Sequence, residues 1–116
     1  METKKREIYE RIYKFAITCL EYVRLFPNTL EANIIAKQLI RSSTSIGANS
    51  EEADGSESKA EFIHRFSIAK KEAKETSYWL RVSEDVLKKP APFLRREVYE
   101  LVSIISTIIT KVKNKI

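Results

Sequence analysis

The pair of residues best suited to metal chemistry is Glu61 and His64, which have the Glu-x-x-His spacing that places two ligands on one face of a helix. A di-metal site in a helical bundle needs this motif twice and two further carboxylates, whereas His64 is the only histidine of the chain. A two-fold dimer would supply the second copy. Ser58 and Glu61, however, form a Ser-x-x-Glu capping box, which explains the glutamate without a metal. We therefore favour a surface histidine and expect no metal and no other cofactor.

Glu51, Glu52, Glu72 and Glu75 are the candidates for general acid–base catalysis. Such catalysis requires carboxylates that share one pocket with a substrate, and the sequence marks no such pocket. Lys71 stands four residues before Glu75, a pattern typical of a solvated helix face with weak ion pairs. The chain also has no glycine-rich phosphate loop, nucleophile elbow or zinc-binding spacing. These patterns predict a protein that is not an enzyme.

The formal net charge of +5 favours nucleic acid or an acidic protein as a partner. Lysines near helix C-termini are expected in any helical protein, because they interact favourably with the helix dipole. That explanation does not cover Lys4, Lys5, Arg95 and Arg96, which lie near the starts of the first and last predicted helices. These four cations are our candidates for contacts with the phosphates of RNA or DNA.

Four aromatic residues lie beside the strict apolar seams of the predicted helices: Tyr9, Tyr13, Tyr78 and Trp79. Tryptophan and tyrosine are enriched at subunit interfaces, so these residues are the candidates for self-association. The alternative for Trp79 is that this large side chain covers the edge of the core.

The elements that must position these residues are predicted to be four helices, at about residues 4–26, 29–53, 58–89 and 92–114. Apolar residues recur at alternating spacings of three and four, which is the helical period. Pro27, Gly55 and Pro90 separate the segments, and capping boxes begin at Asn28 and Ser58. Gly55 is also expected to take a left-handed conformation that ends the second helix. Short connections then predict a single domain spanning residues 1–116, an all-α up-down-up-down antiparallel four-helix bundle.

Composition agrees with this architecture. Only two glycines and three prolines are present, which disfavours a sheet protein with many turns. The single cysteine, Cys19, lies in an apolar helical run and is expected to be buried. No apolar segment follows the N-terminal charges, and no stretch approaches the ~20 apolar residues of a membrane span. We therefore expect a cytoplasmic protein with no membrane partner.

The stretch of small residues from Ser42 to Ser50 is unusual, because such residues are poor helix formers in mid-helix. The favoured interpretation is close approach of a neighbouring helix, with hydroxyls bonding back to carbonyls one turn earlier. The alternative is a polar contact surface. Arg41, just before this stretch, is expected to reach carboxylates of the third helix.

Several of these motifs resemble one family. They are Ile40-Arg41-Ser42-Ser43-Thr44-Ser45-Ile46-Gly47-Ala48-Asn49, Glu52-Ala53, Gly55, Phe62-Ile63, Ile68-Ala69, Lys71-Glu72-Ala73, Glu75-Thr76 and Tyr78-Trp79-Leu80. The sequence is similar to the bacterial "four helix bundle protein" family, which includes proteins encoded within intervening sequences of large-subunit ribosomal RNA genes. Some members have been labelled ribosomal proteins, a label that does not make this chain a ribosomal component.

The resemblance implies a bundle that assembles as a homo-oligomer, with a pentameric ring as the leading expectation. It also implies structural roles for the motif residues Arg41, Ser45, Gly47, Asn49, Gly55, Glu72 and Glu75. Distant relatives include accessory proteins of diversity-generating retroelements, which bind nucleic acid and a reverse transcriptase. The family offers no catalytic residues to carry over.

Three hypotheses about function result. The first is a non-enzymatic oligomer that binds RNA, DNA or a nucleic-acid-processing protein through basic surface. The second is a structural or protein-interaction module whose charge only keeps it soluble. The third, and least favoured, is a metal-dependent enzyme that uses Glu61 and His64.

Overall fold

The computed structural model describes the backbone from Glu2 to Lys115 and the side chains from Arg6 to Lys115. This part of the chain forms four α-helices and contains no strand. The helices are α1 (Glu2–Val23), α2 (Leu30–Asp54), α3 (Lys59–Leu87) and α4 (Pro92–Lys113). They pack into an antiparallel bundle that measures 51 × 22 × 19 Å. The predicted all-α, up-down-up-down four-helix bundle is confirmed.

Each helix packs against its neighbour in the sequence, as short antiparallel connections require. The packing is most extensive between α2 and α3 and least extensive between α1 and α4, which close the bundle. Small residues allow the close approach of α2 and α3: Ser42 and Ser43 on α2, and Ala69 and Ala73 on α3, are all fully buried. The packing interpretation therefore agrees with the burial of Ser42, Ser43 and Ser50, whereas Thr44 and Ala48 of the same stretch are exposed.

The core is a continuous apolar cluster along the bundle axis. Its fully buried large side chains, which contribute most to the hydrophobic free energy of folding, include Ile12, Phe15, Leu39, Ile46, Phe66, Leu80, Val98, Leu101 and Ile105. On α3 the buried positions follow the predicted seam from Phe66 to Ser83. Cys19 is fully buried, as its apolar surroundings indicated.

The prediction that Asn28 caps α2 is wrong. Thr29 is the N-cap: its backbone is extended, and its hydroxyl accepts a hydrogen bond from the backbone N–H of Ala32 at 3.2 Å. The Asn28 side chain instead accepts from the Asn33 side chain at 3.1 Å. Ser58 caps α3 as predicted, because its hydroxyl accepts from the Glu61 backbone N–H at 3.1 Å.

The left-handed helix end lies at a different residue from the one predicted. Gly55 has φ −91°, so the expectation of a left-handed glycine there is wrong. Lys88, after α3, has φ 55° and ψ 39°, which is left-handed. Near this turn the Tyr22 hydroxyl of α1 donates to the Lys89 carbonyl at 2.6 Å and lies 2.7 Å from the Ser83 hydroxyl. Tyr22 thereby ties the end of α1 to the α3–α4 connection.

None of the helices in the described range has both the length and the apolar character needed to cross a bilayer.

Candidate functional site

Arg41 on α2 binds two carboxylates of α3. Its Nη1 donates to Glu72 Oε1 at 3.1 Å, and its Nη2 donates to Glu75 Oε2. The indole N–H of Trp79 donates to the same Glu75 oxygen at 3.1 Å. The predicted contact between Arg41 and the third helix is therefore confirmed, and the link to Trp79 is an addition that spacing alone did not indicate.

These contacts change the acidity of Glu75. The hydrogen bond from Arg41 is the main cause that lowers the pKa of Glu75, and the bond from Trp79 is the next. Lys71 lowers the same pKa through a weaker charge interaction. Glu75 is therefore an ionised partner of Arg41 and does not have the raised pKa that a general acid needs at neutral pH.

The outer side of α3 carries a run of exposed positions spaced by three and four residues, which we call the α3 stripe. It consists of His64, Ser67, Lys71, Lys74, Tyr78 and Arg81. These six positions contain no carboxylate, although the exposed Asp85 follows Arg81 by one turn on the same side of the helix. Lys71 to Arg81 span about 15 Å along the helix. Among the ion pairs of residues 6–115, none involves Lys71, Lys74 or Arg81. The stripe is therefore a line of solvated cations around one tyrosine.

The cations predicted to bind phosphate have different surroundings. Arg95 is bound by Glu84 of α3, whose second oxygen accepts from the Ala91 backbone N–H at 2.8 Å. Arg95 is thus part of the α3–α4 connection. Arg96 is exposed and is absent from the ion pairs of the described side chains. The side chains of Lys4 and Lys5 lie outside the described residues.

The four aromatic candidates for self-association are divided between core and surface. Tyr9 is only 3% exposed and packs against Phe66 with 6.2 Å between ring centroids, so it belongs to the core of the single chain. Trp79 is partly buried against the core. Tyr13 and Tyr78 are exposed, at 58% and 59%.

Tyr13 borders an apolar groove between α1 and α2, with a volume of about 270 Å³. Its lining comprises Tyr9, Tyr13, Ala16, Ile17, Leu20, Thr44, Gly47, Ala48 and Glu51. Ile17, one turn after Tyr13, is also exposed. Its α2 wall includes two residues with little or no side chain, Gly47 and Ala48.

A second groove, of about 350 Å³, lies between α1 and α4. Arg11 occupies its edge, donating to both oxygens of Glu97 at 2.7 and 2.9 Å and to Glu100 at 2.7 Å. Glu7 and Glu10 add further carboxylates to the wall. The lining has three carboxylates against the two cations Arg11 and Lys14, so its charge does not favour a phosphate.

Glu61 and His64, considered and disfavoured as metal ligands from the sequence, lie on the surface of α3. Glu61 and His64 are both exposed on the first turns of α3, and Glu61 serves the cap of that helix through its backbone. Within residues 6–115, histidine, cysteine and acidic side chains form no group of three or more that would hold a metal ion. His64 instead begins the α3 stripe.

The remaining motif residues have packing and hydrogen-bonding roles. The Asn49 side chain donates to the Ser45 carbonyl at 2.9 Å, and its oxygen accepts from Arg65 at 3.5 Å. Gly47 faces Ile12 of α1, where an added Cβ would lie 3.6 Å from the isoleucine Cγ2. That separation is ordinary van der Waals contact, so Gly47 is not required by the core packing at this point.

The comparisons with known proteins agree with the fold. The sequence profile of the family described as 23S rRNA-intervening sequence protein matches residues 4–110. A 1.70 Å crystal structure of a protein of unknown function from the S23 ribosomal protein family of Bacteroides thetaiotaomicron VPI-5482 is similar, with a TM-score of 0.81 and 30% identity. The match covers 88% of this chain and 97% of that one. No curated protein matches the chain.

Proposed function

Because the chain belongs to the 23S rRNA-intervening sequence protein family, which has no established biochemical activity, we propose its function from its surface: a cytoplasmic, non-catalytic helical bundle that binds RNA or DNA. The observation that supports this proposal is the α3 stripe. Its cations are exposed, share one side of a rigid helix and have no carboxylate among them.

The position of Arg41 explains why Lys71 forms no ion pair with Glu75. Glu75 stands four residues after Lys71, a spacing at which a lysine and a glutamate ordinarily attract each other. Its carboxylate is bound to Arg41 and Trp79 instead, and Glu72 is bound to Arg41 as well. The negative charges of Glu72 and Glu75 are thereby bound on the α2 side, while Lys71 and Lys74 face solvent.

Cations arranged in this way attract a phosphodiester backbone. Binding of such cations to nucleic acid releases counterions, so affinity falls steeply as the salt concentration rises. Each phosphate contact that is removed should lower the slope of log affinity against log salt by about 1. The proposal therefore predicts both a loss of affinity and a smaller salt dependence when the stripe loses charge.

The test is a titration of fluorescently labelled RNA and duplex DNA at several salt concentrations. The double variant Lys71→Gln/Lys74→Gln should weaken binding and reduce the salt slope by about 2. The control is Lys111→Gln/Lys113→Gln, which removes the same charge from exposed lysines in the last turn of α4. The helix dipole already accounts for those two residues.

Equal losses in the two double variants would show that net charge alone governs binding, and would contradict the assignment to the α3 stripe. A wild-type protein that binds neither RNA nor DNA at low salt would refute nucleic-acid binding altogether. That result would favour the structural or protein-interaction module.

A second candidate function, self-association, is favoured by the apolar groove between α1 and α2. Tyr13 and Ile17 expose apolar surface beside it. Exposed apolar patches of this kind are typical of subunit contacts. We propose that a second copy of the chain covers the groove, and the pentameric ring expected from the sequence resemblance would use it between adjacent subunits.

Light scattering tests this proposal directly. Tyr13→Lys should reduce the mass in solution, since it places a charge in the contact. Tyr99→Lys is the matched control, because Tyr99 is 77% exposed and lies outside the groove. An oligomer whose mass is unchanged by Tyr13→Lys would refute this placement.

A further inference from the structure

Tyr78 has a setting that the other exposed tyrosines lack. Lys74 lies one turn before it and Arg81 one turn after it, on the same exposed side of α3. At the same offsets, four residues before and three after, Tyr13 has Tyr9 and Ala16. Tyr99 has Arg95 and Val102, and Arg95 is bound by Glu84. Tyr78 is therefore the exposed tyrosine with an exposed cation one turn to either side along its helix.

The ring of Tyr78 is also held in place. It packs edge-to-face on Trp79, with 5.0 Å between centroids and 76° between planes. Trp79 is fixed in turn by its partial burial against the core and by its hydrogen bond to Glu75, which Arg41 holds. With 59% of its surface exposed, Tyr78 is a supported ring with an accessible face.

From this arrangement we infer that Tyr78 stacks on an unpaired base while Lys74 and Arg81 bind the flanking phosphates, so that the α3 stripe is a site for single-stranded nucleic acid. Proteins that bind single strands combine cations that follow the backbone with aromatic rings on which bases stack. In a duplex the bases are paired and stacked on one another, so only the phosphates would reach the stripe. The inference rests on the proposed nucleic-acid binding and specifies its ligand.

A second exposed aromatic residue that lies near a cation is Phe93. Phe93 is 53% exposed and precedes Arg96 by one turn. It lines the groove between α1 and α4 together with Glu7, Glu10 and Glu97, however. Carboxylates outnumber the cations Arg11 and Lys14 in that groove, whereas the six positions of the α3 stripe include two lysines, an arginine and no carboxylate.

The test compares Tyr78→Ala, Tyr78→Phe and Tyr99→Ala in titrations with single-stranded RNA, single-stranded DNA and duplex DNA of one sequence. Tyr78→Ala should weaken binding to single strands by about 5- to 150-fold, the range expected for the loss of one base stack. Tyr78→Phe keeps the aromatic face and should bind like the wild type. Tyr99→Ala should also bind like the wild type, and duplex binding should be unchanged throughout. A comparison of the affinities for single-stranded RNA and single-stranded DNA shows whether the sugar contributes to binding.

The fluorescence of Trp79 gives a second measurement, because it is the only tryptophan and touches Tyr78. Single-stranded probes should change that emission in the wild type. Circular dichroism and the mass in solution, measured for every variant, check that the fold and assembly are intact.

Three outcomes would overturn the inference. In the first, Tyr78→Ala binds single strands as the wild type does, while Lys71→Gln/Lys74→Gln still weakens binding. That result would support the proposed nucleic-acid binding and refute base stacking on Tyr78. In the second, Tyr78→Ala lowers the mass in solution, which places the ring in a subunit contact. In the third, the wild type binds no nucleic acid, and both proposals fail together.

Discussion

Trp79 on α3 donates its indole N–H to Glu75 Oε2 across 3.1 Å, and that oxygen also accepts from Arg41 of α2. The interaction joins two neighbouring helices through one ionised carboxylate. It also connects the only tryptophan of the chain to a titratable group. The acid–base state of Glu75 is therefore accessible to fluorescence.

The first prediction concerns acid titration of Trp79 fluorescence. Arg41 and then Trp79 lower the pKa of Glu75, so its contribution to stability is complete above the unfolded pKa of about 4.3 and is lost as the pH falls through the lower folded pKa. The emission should change with a midpoint below about 4.3 in the wild type. Arg41→Gln should move that midpoint upward.

Arg65→Gln is the control, because Arg65 pairs with Glu52 on the same two helices but does not touch Glu75. It should leave the midpoint unchanged. An Arg41→Gln titration that coincides with the wild type would contradict the assignment of the low pKa to Arg41.

The second prediction concerns the buried hydrogen bond between Ser42 and Thr76, whose hydroxyl oxygens are 2.8 Å apart. Thr76→Val keeps the shape but leaves the fully buried Ser42 hydroxyl without this partner, so the free energy of unfolding should fall by about 1–3 kcal/mol. Adding Ser42→Ala should recover part of that loss. Urea denaturation of both single variants and the double variant measures the coupling.

Thr107→Val provides the comparison, because Thr107 is exposed and bonds only to a carbonyl of its own helix. Its effect should stay within about 0.5 kcal/mol. Strictly additive losses at Ser42 and Thr76 would show that the two hydroxyls are not coupled.

The third prediction concerns Lys88, which has φ 55° although it carries a side chain. A left-handed conformation costs such a residue about 1–2 kcal/mol, and glycine avoids most of that cost. Lys88→Gly should therefore raise the midpoint of thermal unfolding. Lys89→Gly, at a residue without positive φ, should not raise it, and a lower midpoint for Lys88→Gly would argue against the left-handed turn.

The fourth prediction concerns Cys19. Burial raises the pKa of its thiol to about 12, against a smaller opposite effect of the Ser43 hydroxyl. The Ser43 oxygen itself has no oxygen or nitrogen partner among the described groups. Because the thiolate is the reactive form, a thiol reagent at neutral pH should label the folded protein very slowly and the urea-unfolded protein fully. Rapid labelling of the folded protein would contradict the burial of Cys19.

The helical pattern was the most predictable part of the structure. The α3 seam from Phe66 to Ser83 follows directly from the 3.6-residue period, because residues on one face of a helix must meet the core together. A contact of Arg41 with carboxylates of the third helix was also predictable, since antiparallel neighbours place these segments side by side, but the sequence did not indicate that Glu72 and Glu75 are the partners.

The ends of the helices were less predictable because several residue types satisfy the same local requirement. Asn28 and Thr29 are both good N-caps, and the path of the chain after Pro27 decides between them. The left-handed residue is Lys88, and a lysine in the sequence does not indicate such a conformation. Gly55, which would have indicated it, has a negative φ.

The α3 stripe could not be recognised from the sequence for a related reason. Spacing suggested that Lys71 pairs with Glu75, and only the position of Arg41 shows that this carboxylate is bound elsewhere. The role of Glu84 was missed because its partners, the Ala91 backbone and Arg95, belong to the connection and the next helix.

That role of Glu84 has a consequence for local unfolding at the α3–α4 connection. Ala91, the N-cap of α4, makes no side-chain capping bond of its own, and its N–H is instead satisfied by Glu84 near the end of α3. The N-cap of α4 is thus held by a residue of the preceding helix. Amide protons at the start of α4 should accordingly exchange with deuterium in step with those at the end of α3, as one cooperative unit.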